Sequence, residues 1–182
     1  MKNIVIIKGS PRKRGNSSTL ADAFAEEAKK LGANVTVFDT AFLHIGGCRS
    51  CYGCIKKGEC CFHDDFQPIA AALMAADGIV IASPVYWYTF SAQIKSVIDR
   101  WFSLYAAGKD FAGKKAVLLA CGEEETNETF TGIRFSFKKT MELMKAHIAG
   151  EVLVPKVSAA GDIKHTDGEA RARALAREIF EK

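Results

Sequence analysis

The fold of this chain is decided near its beginning by residues 4–19, which read Ile4-Val-Ile-Ile-Lys-Gly-Ser-Pro-Arg-Lys-Arg-Gly-Asn-Ser-Ser-Thr19. The apolar run Ile4–Ile7 is typical of a buried strand, and the amphipathic stretch that follows, Leu20–Leu31, is typical of a helix. The residues between them are rich in glycine, hydroxyl groups and basic side chains. A strand, a polar loop and a helix in this order predict the first unit of a parallel α/β sheet.

The loop between this strand and this helix is a candidate phosphate site. A helix N-terminus presents free backbone N–H groups and the positive end of the helix dipole, so it attracts anions. Gly9 and Gly15 allow tight turns and close backbone approach, and Arg12 and Arg14 add positive charge. Further hydroxyl donors are Ser10, Ser17, Ser18 and Thr19. The loop is not a Walker A sequence, because Asn16 follows Gly15 where that motif has lysine, and it lacks G-x-G-x-x-G.

Composition narrows the class of protein. The chain has 182 residues, of which 48% are hydrophobic, so we expect one folded domain spanning residues 1–182. The formal net charge is +4 and the basic residues are scattered, which does not favour a nucleic-acid partner. No apolar run is long enough to cross a membrane, and a strand begins almost at the first residue, so we expect no membrane partner, no signal peptide and a cytoplasmic location.

Short apolar runs alternate with amphipathic stretches along the whole chain, which predicts successive β–α units and a parallel sheet covered by helices on both faces. The predicted strands are Asn3–Ile7, Asn34–Phe38, Gly78–Ser83, Ala116–Ala120 and Val152–Val157. The predicted helices are Ser18–Leu31, Gln67–Ala76, Ser91–Tyr105, Phe130–Ala149 and Glu169–Glu181.

Three loops are expected to meet at one edge of this sheet. Ligands of open α/β sheets bind beyond the carboxyl ends of the strands, where the loops Gly9–Thr19, Ser83–Phe90 and Cys121–Thr126 would lie. The second loop carries three consecutive aromatic residues, Tyr86–Tyr88, which are costly to expose. They are suited to stacking on a planar ring. Packing against neighbouring loops or a second subunit is the alternative.

Four short motifs together resemble the NADPH-dependent FMN reductase family of flavodoxin-like proteins, over essentially the whole chain. They are Gly9-Ser-Pro-Arg12, Gly15-Asn-Ser-Ser18, Ser83-Pro-Val-Tyr86 and Lys95-x-x-Ile-Asp-Arg100. The resemblance implies a flavodoxin-like three-layer α/β sandwich whose five-stranded parallel sheet has the order 2-1-3-4-5. It also implies non-covalently bound FMN. The FMN-binding residues implied are Ser10, Arg12, Asn16, Ser17 and Ser18 at the phosphate, with Thr19 as a further hydroxyl of that loop, then Pro84, Val85, Tyr86 and Trp87 along the ring, and Gly122 at its far side.

The activity implied by the resemblance is transfer of electrons from NAD(P)H through FMN to a small acceptor. The acceptor would be a quinone, a nitroaromatic, an azo compound or free flavin, and the assembly a homodimer or homotetramer. No side chain is expected to be catalytic, since the flavin carries the redox chemistry. We interpret Asp99 and Arg100 as structural and Glu123–Glu125 as a solvated surface. A non-enzymatic flavodoxin-type shuttle is an alternative, although flavodoxins are usually strongly acidic.

The cysteines leave a second question open. The long connection Thr40–Phe66 contains Cys48, Cys51, Cys54 and Cys60 with the spacing C-x2-C-x2-C-x5-C, followed at once by Cys61. Compact thiolate spacing of this kind holds 4Fe–4S clusters, and the segment is similar to that of the iron–sulfur flavoproteins in the same superfamily. The alternatives are zinc and, as the favoured interpretation, free thiols with no metal. The sixth cysteine follows an apolar strand and is expected to be a small buried side chain.

Overall fold

A six-stranded sheet runs through the centre of the structure, a computed structural model that describes residues 1–180. The strands are β1 (Asn3–Lys8), β2 (Asn34–Asp39), β3 (Gly78–Tyr86), β4 (Thr89–Phe90), β5 (Lys115–Cys121) and β6 (His147–Val154). Five of them are parallel and lie in the order β2-β1-β3-β5-β6, while the two-residue β4 pairs antiparallel with the end of β3. The predicted flavodoxin-like sheet is confirmed, and the small hairpin strand β4 is the one addition to its order.

Helices cover both faces of this sheet. They are α1 (Asn16–Lys30), α2 (Gly53–Lys57), α3 (Phe66–Ala75), α4 (Ala92–Arg100), α5 (Phe102–Ala106), α6 (Thr131–Leu143) and α7 (Gly168–Phe180). Glu181, the predicted end of the last helix, lies outside the described residues. Within the described part of the chain, no helix is both long and apolar enough to cross a bilayer.

The helix predicted over Ser91–Tyr105 is divided in the structure. Its first part is α4 and its second is α5, and the backbone between them tightens at Trp101, whose N–H bonds the carbonyl of Ile98 three residues back. Trp101 is buried and its ring packs edge-to-face on Phe111, with 5.0 Å between the centroids. Hydrophobic periodicity indicates which face of a helix is buried. It cannot show a local change of hydrogen-bond pattern, such as the one that accompanies burial of the Trp101 ring.

The prediction of a helix over Phe130–Ala149 was wrong at the C-terminal end. The helix stops at Leu143, the chain turns through Lys145 with φ of 60°, and His147–Ala149 already belong to β6. The predicted last strand, Val152–Val157, is correspondingly shifted. In β6, His147 pairs with Lys115 of β5, so ladder hydrogen bonds replace helical ones in this segment. Pro155 follows the last strand residue and lacks the N–H that would continue the ladder.

Alternate residues of the strands build two separate cores. Val5 and Ile7 of β1 face the side covered by α3, α4, α5 and α6. Ile4 and Ile6 face the opposite side, which α1 and α7 cover. Because both faces of the central strands are buried, the loops at the carboxyl edge are the part of the sheet that remains open to a ligand.

Candidate functional site

A cavity of about 140 Å³ opens at the carboxyl edge of the sheet. The loops after β1, β5 and β6 form its walls together with the last residues of β3 and β5. The lining residues are Ser10, Arg12, Gly15, Asn16, Ser17, Pro84, Val85, Tyr86, Cys121, Glu123, Val157 and Ser158. The three predicted loops therefore meet at one site, and a fourth loop, after β6, joins them.

The first loop is a tight turn that brings the start of α1 against the cavity. The Arg12 backbone N–H donates to the hydroxyl oxygen of Ser10 at 3.2 Å, and Gly15 N–H donates to the Arg12 carbonyl at 3.0 Å. A Cβ on Gly15 would meet the Ser10 hydroxyl, so any other residue here would have to displace that side chain from the turn. Thr19 donates its hydroxyl to the Gly15 carbonyl at 3.3 Å and does not reach the cavity wall.

Two hydroxyl groups at the start of α1 stand out. Ser17 and Ser18 are each 1% exposed, and neither hydroxyl has a hydrogen-bond partner among the described residues. Ser17 also lines the cavity, whereas Ser18, the next residue of the helix, is not among the lining residues. A buried polar group without a partner is costly, so native structures retain such groups where a ligand, ion or water satisfies them. The helix terminus at the same place favours an anion.

The segment after β6 is held against the first loop. Arg12 donates from its Nη1 to the Ser158 carbonyl at 2.7 Å, and Asn16 donates to the Ala159 carbonyl at 2.9 Å. The side-chain oxygen of Asn16 also accepts from the backbone N–H groups of Gly161 and Ile163. Asn16 is therefore committed to protein contacts, and its place at the cavity follows from them. Arg12 itself lines the cavity.

The aromatic loop is a strained hairpin at the edge of the cavity. Pro84, Val85 and Tyr86 line the wall, whereas Trp87 at the tip is 93% exposed. Trp87 and Tyr88 have φ of 49° and 64°, the left-handed region that side chains with a Cβ rarely adopt. Strain of this kind collects at ligand sites.

The third loop closes the hairpin from the other side. The Tyr88 hydroxyl donates to Glu124 Oε1 at 2.9 Å, and this bond raises the pKa of the tyrosine. Glu123 and Cys121 line the cavity, while the predicted Gly122 between them bonds the end of β6 and stays off the wall. Burial raises the pKa of Cys121 to about 12, so its thiol is neutral.

Sequence reasoning therefore missed part of this wall. Cys121 is buried and Glu123 is exposed, as expected, but neither had been assigned to the wall of the cavity. Val157 and Ser158 were not considered as site residues, because the loop after the last strand carries no motif. Topology could have indicated them, because this loop also begins at the carboxyl end of a parallel strand, where ligands of such sheets bind.

The remaining cysteines gather at a second, smaller cavity, next to α4 and α5. Its lining includes Cys48, Cys51, Cys54, Cys60 and Cys61, together with Tyr52, Phe62, Arg100, Phe102 and Ser103. Tyr52 packs edge-to-face on Phe102 with 5.8 Å between ring centroids, which fixes the segment against α5. The long connection is thus ordered against the helices that follow β4.

The sulfur atoms of this segment influence one another. Burial raises the pKa of the Cys54 thiol, and the neighbouring sulfurs of Cys60, Cys51 and Cys48 raise it further. Within residues 1–180, no three His, Cys, Asp or Glu side chains are arranged to hold a single metal ion. An iron–sulfur cluster requires a different arrangement of ligands from a single ion. Each thiolate binds its own iron, so the sulfurs need only surround a common space. The donor atoms at this cavity are therefore of the type that holds a cluster.

Comparison with models of protein families shows which family this chain belongs to. The model of the NADPH-dependent FMN reductase family matches residues 2–162. The chain belongs to this family. The resemblance read from the sequence motifs is thereby confirmed, and the family's description names both NADPH and FMN.

Curated relatives of this FMN reductase family member carry a more specific name. An iron-sulfur flavoprotein of Archaeoglobus fulgidus is 38% identical over 100 residues, which are 55% of this chain and 45% of the relative. An iron-sulfur flavoprotein of Methanosarcina thermophila is 37% identical over 114 residues, 61% of this chain and 57% of the relative. The chain thus spans about half the length of these curated relatives.

Solved structures share the fold at low identity. An azoreductase from Bacillus anthracis has a TM-score of 0.75 and 18% identity, covering 98% of this chain and 100% of its own. An NAD(P)H:quinone oxidoreductase from Methanothermobacter marburgensis has a TM-score of 0.72 and 20% identity, covering 98% and 96%. These likenesses support the flavodoxin-like fold of this family member.

Proposed function

We propose that the chain binds FMN at the carboxyl edge of the sheet and passes electrons from NAD(P)H to a small flat acceptor such as a quinone. The phosphate would be held at the start of α1 by Ser10, Arg12, Ser17 and Ser18. The flavin ring would lie along the hairpin, against Pro84, Val85 and Tyr86.

One observation carries this proposal: the buried, unpartnered hydroxyls of Ser17 and Ser18 at a helix N-terminus. A phosphate accepts hydrogen bonds from both hydroxyls and from the free backbone N–H groups of the first helical turn. Arg12 lines the same cavity and supplies a positive charge. The residues present therefore fit an anionic cofactor.

The chemistry supplied by bound FMN is acceptance of a hydride and its release as electrons to the acceptor. The side chains of the protein would bind the cofactor and orient the acceptor against it. The neutral Cys121 thiol and Val85 give the cavity an apolar side, and Tyr86, which is 41% exposed, presents a flat surface. Aromatic walls favour planar acceptors through offset stacking.

The test compares FMN with riboflavin, which lacks the phosphate. We expect quenching of flavin fluorescence to show binding of FMN at least about tenfold tighter, since hydrogen bonds to a charged group contribute about 1.5–3 kcal/mol. NADPH or NADH should then be oxidised with benzoquinone only when FMN is present. Equal affinity for the two flavins would contradict the phosphate site. Flavin binding without nicotinamide oxidation would favour a shuttle.

The aromatic hairpin also supports a proposal about assembly. A tryptophan that is 93% exposed at the tip of a strained turn is suited to contact with a second copy as well as with an acceptor. We infer a homodimer or homotetramer, which sedimentation of the FMN-loaded protein would test. A monomer at micromolar concentration would contradict it.

A second function is favoured by a separate observation, the convergence of five thiols on one cavity. We propose that Cys48, Cys51, Cys54 and Cys60 hold a 4Fe–4S cluster, which would make the chain an electron carrier like the iron-sulfur flavoproteins among its relatives. The spacing of the first three cysteines suits such a cluster.

The cluster is tested after anaerobic purification by the visible spectrum and by analysis of iron and acid-labile sulfide. We expect a broad visible absorbance that Cys54→Ser removes. Cys61→Ser is the matched control, since it removes a thiol at the same cavity that the proposed set does not use. Protein reconstituted with iron and sulfide that retains neither would restore the interpretation as free thiols.

A further inference from the structure

Arg100 is buried against the cysteine segment and uses every donor that it has. Its side chain is 1% exposed. Nε donates to Cys60 Sγ at 3.1 Å, Nη1 donates to the Gly46 carbonyl at 3.0 Å and Nη2 to the Phe62 carbonyl at 3.0 Å. The two remaining N–H groups go to Asp64, at 2.8 and 3.2 Å. A guanidinium has five N–H donors, so this one is fully satisfied.

The partners of Arg100 lie on both sides of the cysteines. Gly46 precedes Cys48, whereas Phe62 and Asp64 follow Cys61. Asp64 also links the two sides of the cysteine segment directly, because its Oδ2 accepts the Gly46 backbone N–H at 3.4 Å. One side chain from α4 therefore joins the two ends of the segment that carries the thiols.

The geometry of this contact is specific to arginine. Asp64 receives two parallel N–H groups, a bidentate arrangement that a lysine cannot reproduce. The flat guanidinium also lies over the Phe66 ring, 4.8 Å from its centroid, and over that of Phe62 at 5.7 Å. Removing the cation would leave Asp64 partly buried without its charge partner.

We propose that Arg100 is the positioning residue of the cysteine site. Fixed by Asp64, it holds residues 46–64 closed so that the thiols face one cavity as a set, and it supplies an N–H to the Cys60 sulfur. Such outer contacts orient metal ligands, and hydrogen bonds to sulfur set the potential of an iron–sulfur cluster. This inference rests on the second function proposed above, that the segment binds metal.

The test measures how fast the full chain, reconstituted anaerobically with iron and sulfide, loses its iron and its broad visible absorbance to an excess of chelator. We expect Arg100→Gln to lose them about 10- to 100-fold faster, the factor by which loss of outer contacts weakens metal sites. Arg100→Lys should lose them nearly as fast, because the charge remains but the planar, bidentate donor arrangement is lost. The matched control is Arg134→Gln, which removes an exposed arginine paired with Glu151 and should leave the rate of iron loss unchanged.

Circular dichroism of the chain before reconstitution reports whether each variant is folded. Should neither Arg100 variant fold, Asp64→Asn decides, since it loosens the contact and keeps the arginine; it should lose iron at least about fivefold faster. Loss at the wild-type rate in the folded variants would overturn the role of Arg100 alone. A wild type that takes up no iron and sulfide would overturn the cluster and the role of Arg100 with it, so the two failures are distinguishable.

Discussion

At the scale of single residues, the most informative groups are the hydroxyls of Ser17 and Ser18, which are buried and have no hydrogen-bond partner within residues 1–180. We expect Ser17→Ala with Ser18→Ala to weaken FMN binding by at least about tenfold for each hydroxyl, since each bond to a charged group contributes about 1.5–3 kcal/mol. The flavin-free protein should not lose stability, since an unsatisfied group is removed. Fluorescence titration with FMN and thermal unfolding without it measure the two effects.

The control for this pair is Ser136→Ala, a serine in the middle of α6. It should leave FMN affinity unchanged and should not lower the unfolding temperature, since alanine is the better helix former. Loss of stability in the flavin-free double variant would mean that the hydroxyls serve the fold, and the phosphate assignment would fail.

These serines could be predicted from the sequence, because a hydroxyl-rich helix start after a strand is a local feature. The contacts of Arg12 and Asn16 could not. Their partners, Ser158 and Ala159, lie more than 140 residues further along the chain, and no local pattern links the two segments. The same limit hides the role of Arg100, whose partners belong to a different loop.

Among the elements, the β3–β4 hairpin is built around a turn that its sequence disfavours. Positive φ at both turn positions is typical of type I′ hairpins, which prefer Asn-Gly, yet the chain has Trp87 and Tyr88. We expect Trp87→Asn to raise the free energy of unfolding by about 1 kcal/mol, because asparagine tolerates this conformation and little packing is lost at 93% exposure. Quinone kinetics should worsen several-fold while FMN stays bound.

Urea unfolding and steady-state quinone reduction check this trade-off. Phe135→Asn serves as the comparison, since Phe135 is an exposed aromatic residue of α6 outside the positive-φ region. It should not stabilise the chain. A Trp87→Asn variant with wild-type kinetics for every flat acceptor would show that the tip does not contact the acceptor.

The two helices on one face of the sheet, α1 and α7, are joined by an ion pair. Arg177 Nη1 lies 2.5 Å from Glu27 Oε1, and this hydrogen bond, which outweighs burial, holds the pKa of Glu27 below its ordinary value of 4.5. A lowered pKa in the folded state stabilises the protein above the ordinary value and loses that effect as the pH falls through the folded value.

Arg177→Gln should therefore lower the urea midpoint at neutral pH and have little effect in acid, well below pH 4.5. The urea midpoint measured at both pH values gives the result. Arg134→Gln, which removes an arginine from a more exposed pair with Glu151, should have a smaller effect at neutral pH. An equal effect of Arg177→Gln at both pH values would indicate lost packing instead of lost charge.

On the scale of the whole molecule, the alternation of strands and helices was enough to predict the parallel sheet, since each unit repeats the same local pattern. The parts of the fold that were not predicted are those in which tertiary contacts override this local pattern. Lys145 turns left-handed so that His147 and Ile148 can pair with β5. The short α2 lies inside the cysteine segment and is too brief to show a period.

The two proposed sites occupy opposite ends of α4, which decides how far they depend on each other. Ser91, just before this helix, donates its hydroxyl to the Gly9 carbonyl of the first loop at 2.8 Å, whereas Arg100 at its end holds the cysteine segment. Nine helical residues separate these ends by about 14 Å. No residue of the connection between β2 and α3 lines the cavity assigned to FMN, within the described part of the chain.

We therefore expect Cys48→Ser with Cys51→Ser to keep FMN affinity within about twofold, since contributions of distant sites are usually independent. The same variant should lose bound iron and any broad visible absorbance. Conversely, the Ser17 and Ser18 double variant should lose FMN and keep its iron. Flavin titration and iron analysis on both proteins give the four results. Weaker FMN binding in the cysteine variant would show that α4 transmits the state of the thiols to the flavin cavity, and the two sites would have to be treated as one.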